Sequence, residues 1–224
     1  MNSPSSIRPI ESSSMTERVT SELRRSILNG ALEPGQTFSL REISAQLDVS
    51  FIPVREALRN LEAEGLVVTR TGRSAQVAPL DLADLQAIYR LRRSIEPDIA
   101  RNSCPLLTDD DLDRLDAIAS GFADPDLSYD GIFDAHMILH LALFEPVTTT
   151  WDIRVLTSLW RAVERYIRIG FGKLDSDPHE HDRRAHSHHE LIDAFRTRDP
   201  DVAAGAMRIH LARNEQIALA ALND

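Results

Sequence analysis

From Leu80 to the C-terminus, apolar residues recur at spacings of three and four and strand signals nearly vanish. A stretch that repeats near a period of 3.6 buries its apolar stripes by packing helix on helix, so a bundle is expected. Helical patterns run through "LADLQAIYRLRRSIEPDIARN", "TDDDLDRLDAIASGF", "YDGIFDAHMILHLALF", "IRVLTSLWRAVERYIRIGF", "RRAHSHHELIDAFRT" and "DPDVAAGAMRIHLARNEQIALAAL", broken by Pro, Gly and Asp-rich segments. About six antiparallel helices are predicted over residues 79–224, with Pro79 at the boundary and no internal repeat of fixed period.

Ahead of Pro79 the pattern differs. The opening "MNSPSSIRPIESSS" is rich in Ser and Pro and has no periodicity, so residues 1–14 read as a disordered tail. Val19, Leu23, Ile27 and Leu28 then mark a first helix that stops at Asn29 and Gly30. After a turn at Pro34 and Gly35, Ser39 caps a second helix with Leu40, Ile43 and Leu47 on its inner face. Ser50 is expected to cap a third helix, "FIPVREALRNLEAE", which ends at Gly65 and spans roughly 21 Å. Pro53 lies in its first turn, where a missing N–H removes no intrahelical bond. Finally, "LVVTRTGRSAQVAPL" switches to β-branched residues around Thr71 and Gly72, a two-stranded hairpin. Three helices closed by a hairpin over residues 15–78 make a winged helix-turn-helix, whose third helix enters the DNA major groove.

Charge narrows the partner. The net charge is -10, yet residues 1–78 hold nine Arg against nine Asp plus Glu, and the whole excess of acid lies beyond them. Phosphates would be repelled by the C-terminal part, so only the neutral N-terminal third is a candidate polyanion binder. On its third helix, Phe51, Arg55 and Arg59 share one face, opposite Val54, Leu58 and Leu61. No apolar run approaches the roughly 18 to 20 residues of a membrane span, and there is no secretory leader pattern, so a cytoplasmic protein is expected. The lone Cys104 excludes an intrachain disulfide and is read as a buried thiol.

In the bundle, His136 and His140 are four apart and share a face with Ile132, Phe133 and Leu143, a spacing that can chelate one metal ion. His188 lies on the stripe of Leu191, Ile192 and Phe195, whereas His186 and His189 lean outward. His210 aligns with Ala203, Met207, Asn214 and Ile217. An inward imidazole is commonly a core residue bonded to a carbonyl or carboxylate. Four in one apolar bundle are costly to leave unpaired, and a divalent ion would solve that problem, but nothing local fixes whether the three helices converge. Arg92 shares a face with Leu85, Ile88, Ile95 and Ile99, so if buried it needs an anionic partner. That partner is either a bundle carboxylate such as Glu164 or the carboxylate of a ligand.

These segments also resemble a known family. "ILNGALEPGQTFSLREISAQLDVSFIPVREALRNLEAEGLV" looks like the DNA-binding domain of the GntR family of bacterial transcriptional regulators. The resemblance implies that Arg41, Arg55 and Arg59 touch phosphates or guanine edges, while Arg70 and Arg73, flanking the wing tip, follow the neighbouring backbone. Relatives often carry Arg and a polar residue where this chain has Phe51 and Ile52, so these two either meet thymine methyls or turn back against Leu47 as core.

Residues 80–222 resemble the FCD effector domain of one GntR branch, on "LRRSIEP", on Leu143, Trp151, Leu159 and Trp160, and on the pair His188 and His210. The family's Asp and three His hold a metal beneath the effector. Position by position, His140, His188 and His210 take the three His places and His136 stands where the Asp is usual. An imidazole-rich set favours zinc, nickel or other borderline cations over magnesium. The resemblance thus implies a homodimer on a palindromic double-stranded operator, responsive to a small organic acid held near the metal and Arg92. Two alternatives compete: a metal-dependent hydrolase using the His cluster, for which no "HExxH" occurs, and a regulator whose metal is purely structural.

Overall fold

The computed structural model describes residues 14–70, 74–174, 179–220 and 222. The chain divides into two compact units, Met1–Pro79 and Leu80–Asp224. No helix among the described residues is long and apolar enough to cross a membrane.

In the first unit, α1 (Met15–Leu28) starts at a capping box in which Ser14 and Glu17 satisfy each other's backbone N–H. Ser14 therefore belongs to the folded unit rather than to the expected tail, and the Ser-x-x-Glu spacing is the signal for it. The rest of that tail, residues 1–13, lies outside the described residues. α2 (Leu40–Leu47) has the same box between Ser39 and Glu42, and Asp48 ends it in the left-handed region at φ 51°. α3 (Phe51–Ala63) is followed by Gly65 at φ 72°.

Ser50 corrects an expectation, since it stands at the N-cap position but its side chain makes no cap hydrogen bond. An N-cap oxygen accepts from the second or third helical N–H. Here the third helical residue is Pro53, which has none.

β2 (Val67–Arg70) and β3 (Ser74–Val77) form the antiparallel hairpin, and β1 (Thr37–Ser39) adds to its free edge in the order β1-β3-β2. β1 leaves no signal in the sequence, because three residues are too few to show alternation. Val19, Leu23, Ile27, Ile43, Val54, Leu58, Leu61 and Val77 form one core beneath the sheet and helices. Arg24 grips Glu64 through two hydrogen bonds of 2.6 and 2.9 Å, tying α1 to the end of α3.

The second unit contains α4 (Leu82–Ser103), a 3-10 turn at Cys104–Leu106, α5 (Asp109–Gly121), α6 (Tyr129–Phe144), α7 (Thr150–Leu174), α8 (Glu180–Arg196) and α9 (Pro200–Ala220). All six expected helical segments are present. α9 packs against α4, α7 and α8, and α5 packs against α8. Leu139, Leu143, Trp160, Leu191, Ile192, Phe195, Met207 and Leu211 form the main core, which also encloses Cys104. At Gly170 the backbones of α7 and α9 come together, so that a Cβ at this position would stand 2.0 Å from the carbonyl oxygen of Ile217. No side chain fits there without separating the two helices.

Gly170→Ala should therefore destabilise the protein by about 1–3 kcal/mol through overpacking. Gly205→Ala, in α9 with nothing within 4 Å of the added methyl, should stabilise by ~0.5–1 kcal/mol through helix propensity. Urea midpoints of the two variants moving in the same direction would contradict the close-contact argument.

Candidate metal centre and nucleic-acid interface

α6 presents His136 and His140 one turn apart, α8 brings His188 and α9 brings His210. One ring nitrogen from each of these four residues lies within 4.8 Å of the others. His140, His188 and His210 are buried and His136 is half-buried. Burial, reinforced by neighbouring imidazoles and Arg92, drives the pKa of His136, His140 and His210 well below the usual histidine value. Burial also carries His188 down to about 4. All four rings are thus neutral near pH 7 and each retains one lone pair.

Hydrogen bonds say where two of those lone pairs are. His188 Nδ1 lies 2.8 Å from the Arg184 carbonyl, an acceptor only, so the ring proton sits on Nδ1. Its Nε2 is then a bare lone pair, buried, with no hydrogen-bond partner. On His210, Ser187 Oγ lies 3.3 Å from Nδ1 and Asn214 Nδ2 lies 3.1 Å from Nε2, an arrangement suited to the same tautomer. His140 Nε2 approaches His210 Nε2 at 3.2 Å, while His140 Nδ1 is buried without a partner. Convergent lone pairs with orphaned nitrogens fit a borderline divalent cation better than a satisfied polar core. His186 is exposed and His189 bonds Asp116 at 2.6 Å, both outside the cluster.

Arg92 is 1% exposed, and its partner is a bundle carboxylate, as one of the two alternatives had it, but Glu96 rather than Glu164. Glu96, one turn further along α4, accepts from Nε at 2.6 Å and from Nη2 at 3.3 Å. Trp160 Nε1 donates to the same carboxylate at 3.0 Å, and the Arg92 guanidinium stands 5.2 Å from the Tyr89 ring. Desolvation opposes the Arg92 charge, but Glu96 and Tyr89 outweigh it and raise its pKa. Glu164 instead pairs with Arg168 at 2.5 Å. The four-residue spacing of Arg92 and Glu96 is visible in the sequence, but the apolar stripe of α4 draws attention away from it.

Arg92, His136 and His188 line one end of a cavity of about 60 Å³, walled by Phe122, Ile132, Phe133, Trp160, Val163 and Ile217. Arg213 also lines it and makes no hydrogen bond or ion pair with any described residue. Sequence reading passes over Arg213, although it stands three residues after His210 and so shares its face.

In the first unit, Arg41 and Arg55 are exposed and make no ion pair among the described residues. Arg59 pairs with Glu56 at 2.8 Å across an exposed surface, a contact worth little in water. Glu62 does not join that face; it accepts from the backbone N–H of Thr69 at 3.0 Å, linking α3 to the hairpin. Phe51 and Ile52 are 50% and 70% exposed, which removes the core alternative for both. The Arg70 side chain and all of Arg73 lie outside the described residues.

A helix-turn-helix with a wing, followed by an all-helical unit, is the layout of a class of DNA-binding transcriptional regulators. Residues 15–77 match the bacterial regulatory proteins of the gntR family, and residues 87–213, more than half of the chain, match the FCD domain. The chain belongs to the GntR family of bacterial transcriptional regulators, with an FCD domain in its C-terminal part. It is 26% identical over 213 residues to the HTH-type transcriptional regulator BphR of Paraburkholderia xenovorans (strain LB400), covering 88% of this chain and 82% of that one. It is 27% identical over 193 residues to the HTH-type transcriptional repressor RspR of Escherichia coli (strain K12), covering 84% of this chain and 82% of that one. A crystal structure of a GntR regulator from Rhodococcus sp. RHA1 superposes with a TM-score of 0.70 at 28% identity, over 92% of this chain and 98% of the other. These are regulators, not enzymes, and the hydrolase alternative falls with that finding.

The imidazole burial has a pH consequence. Between His188's ordinary 6.5 and its folded value of about 4, the unfolded chain takes up a proton that the folded chain refuses. Stability of the metal-free protein must therefore fall as pH drops through that window. The stability difference between wild type and His188→Gln, from urea unfolding after chelation, should shrink steadily over the same range. A pH-independent difference would show that His188 is not held neutral.

Proposed function

We propose that this regulator binds a divalent cation on His136, His140, His188 and His210, and senses a small carboxylic acid in the adjoining cavity. The observation that carries this reading is the convergence of four neutral imidazoles with the His188 Nε2 lone pair left buried and unbonded. The donor set is all nitrogen, which favours zinc or nickel over magnesium. His136, in the place of the family's usual Asp, keeps a ligand but brings no negative charge. The bound cation supplies coordination positions for an acid's oxygens. Arg213, without a partner among the described residues, is the cation best suited to the carboxylate, and Arg92, steadied by Glu96, forms the neighbouring wall.

Residues 15–78 act as the DNA reader and residues 79–224 as the sensing and dimerising domain. Two copies place two recognition helices on the halves of a palindromic operator, since one head alone grips weakly. Arg41, Arg55 and Arg59 supply phosphate and guanine contacts, and Arg70 and Arg73 extend them along the wing. Phe51 and Ile52, exposed at the start of α3, face thymine methyls. An acid alters operator affinity only by binding one placement of the two heads better than another.

Two outcomes are expected. With an operator selected from a random duplex library, Arg55→Ala should weaken binding about 10- to 100-fold, the ~1–3 kcal/mol of one good guanidinium contact. Unchanged affinity and unchanged salt dependence would remove Arg55 from the interface. Elemental analysis of natively purified protein should find one zinc or nickel per chain, and His140→Ala and His188→Ala should each lose it. Stoichiometric metal retained in both variants would refute the site.

A further inference from the structure

The cavity has a second polar end, remote from the histidines. Glu180 opens α8 and is 4% exposed. Its Oε2 accepts from Arg183 Nε and Nη2 at 3.0 and 2.7 Å. Its Oε1, equally buried, has no hydrogen-bond donor, and Glu180 lines the cavity. His188 follows eight residues later on the same helix, roughly 12 Å away at 1.5 Å per residue. On α7, Trp160 at the histidine end and Arg168 at the far end are separated by the same rise. The cavity is therefore long and asymmetric, with imidazoles at one end, apolar walls between, and a bare carboxylate oxygen at the other.

An acceptor without a donor in a ligand cavity asks for a hydrogen from the ligand. The volume of about 60 Å³ suits a chain of about four to six water-sized groups at ~10–15 Å³ each. The charge around Glu180 selects the kind of donor. Glu180 is already paired with Arg183, and Glu164, which lines the same cavity, with Arg168, so a second cation finds no uncompensated carboxylate, while a neutral hydroxyl needs none.

We propose that the cavity selects a short hydroxy acid whose carboxylate lies at the imidazole end and whose remote hydroxyl donates to Glu180 Oε1. This rests on the reading that the site takes an acid at all, and goes beyond it by making Glu180 the specificity-determining residue. The acid that ends in a methyl group in place of the hydroxymethyl offers Oε1 no hydrogen bond. Such a ligand should bind more weakly by at least about tenfold, a modest value for a buried acceptor left unpaired.

The test is titration calorimetry on the full-length, zinc-loaded protein with butanoate, 4-hydroxybutanoate and 4-aminobutanoate. The hydroxy acid should bind at least about tenfold tighter than either of the others. Glu180→Ala should bring the ratio of hydroxy acid to butanoate close to one. Glu180→Gln, which keeps a carbonyl acceptor, should retain part of the preference and serves as the second variant if Glu180→Ala does not fold. Equal binding of all three acids would overturn the role of Glu180 while leaving acid sensing intact. Tighter binding of the amino acid would overturn the neutral-donor argument, and a preference that survives Glu180→Ala would place the reading group elsewhere. Failure of every acid to bind would instead refute acid sensing itself, and this inference with it.

Discussion

Imidazoles without a carboxylate partner, held inside an apolar helix bundle, are the constraint around which the C-terminal unit is arranged. Desolvation keeps all four rings neutral, and neutrality is what turns them from buried cations into lone-pair donors. Three helices must hold their register to bring the rings together, and close packing supplies that register. Gly170 lets α7 lie against the α9 backbone. The Arg184 carbonyl fixes the His188 proton on the side away from the cluster, as a backbone partner commonly does for a metal-bound histidine.

The other buried charges follow a related rule. Arg92 and Glu96 satisfy each other inside one helix, and Trp160 adds a donor to the same carboxylate. The pair is self-contained, so Arg92 stands beside the cavity as a fixed, already compensated charge. Arg213 has no such compensation among the described residues. Arg92 and Arg213, both lining the cavity, therefore differ in what they can offer a ligand: Arg92 contributes field and shape, whereas Arg213 has hydrogen bonds to give.

Much of this is legible from spacing alone. Every helix of the bundle follows from a 3.6-residue period, and the inward histidines separate from His186 and His189 by face. What cannot be read is convergence, because periodicity tells which side of a helix is buried but not which helices share a site. Other misses have local causes. β1 is three residues long, and the bundle carboxylate that holds Arg92 is Glu96, one turn away on its own helix, rather than Glu164. Ser50 reads as a cap by residue type, although Pro53 removes the N–H that the cap would bind. Phe51 and Ile52 stand out in the sequence as the odd residues of the recognition helix, but their exposure needs coordinates.

Substitution of His for the usual Asp also changes the electrostatics of the proposed site. With three imidazoles and a carboxylate, a divalent cation keeps a net charge of one; with four neutral imidazoles it keeps two. Arg213 adds a third positive charge on the cavity wall, and Glu96 is already committed to Arg92. A cation in this setting is poorly neutralised until an anion enters, and an anion gains more from the loaded site than from the empty one. In the proposed site metal and acid would then strengthen each other's binding by the same factor, because linkage between two ligands is reciprocal. In the site as proposed, one negative charge would be moved from the protein to the ligand, and occupancy of the metal centre would itself be sensitive to the acid.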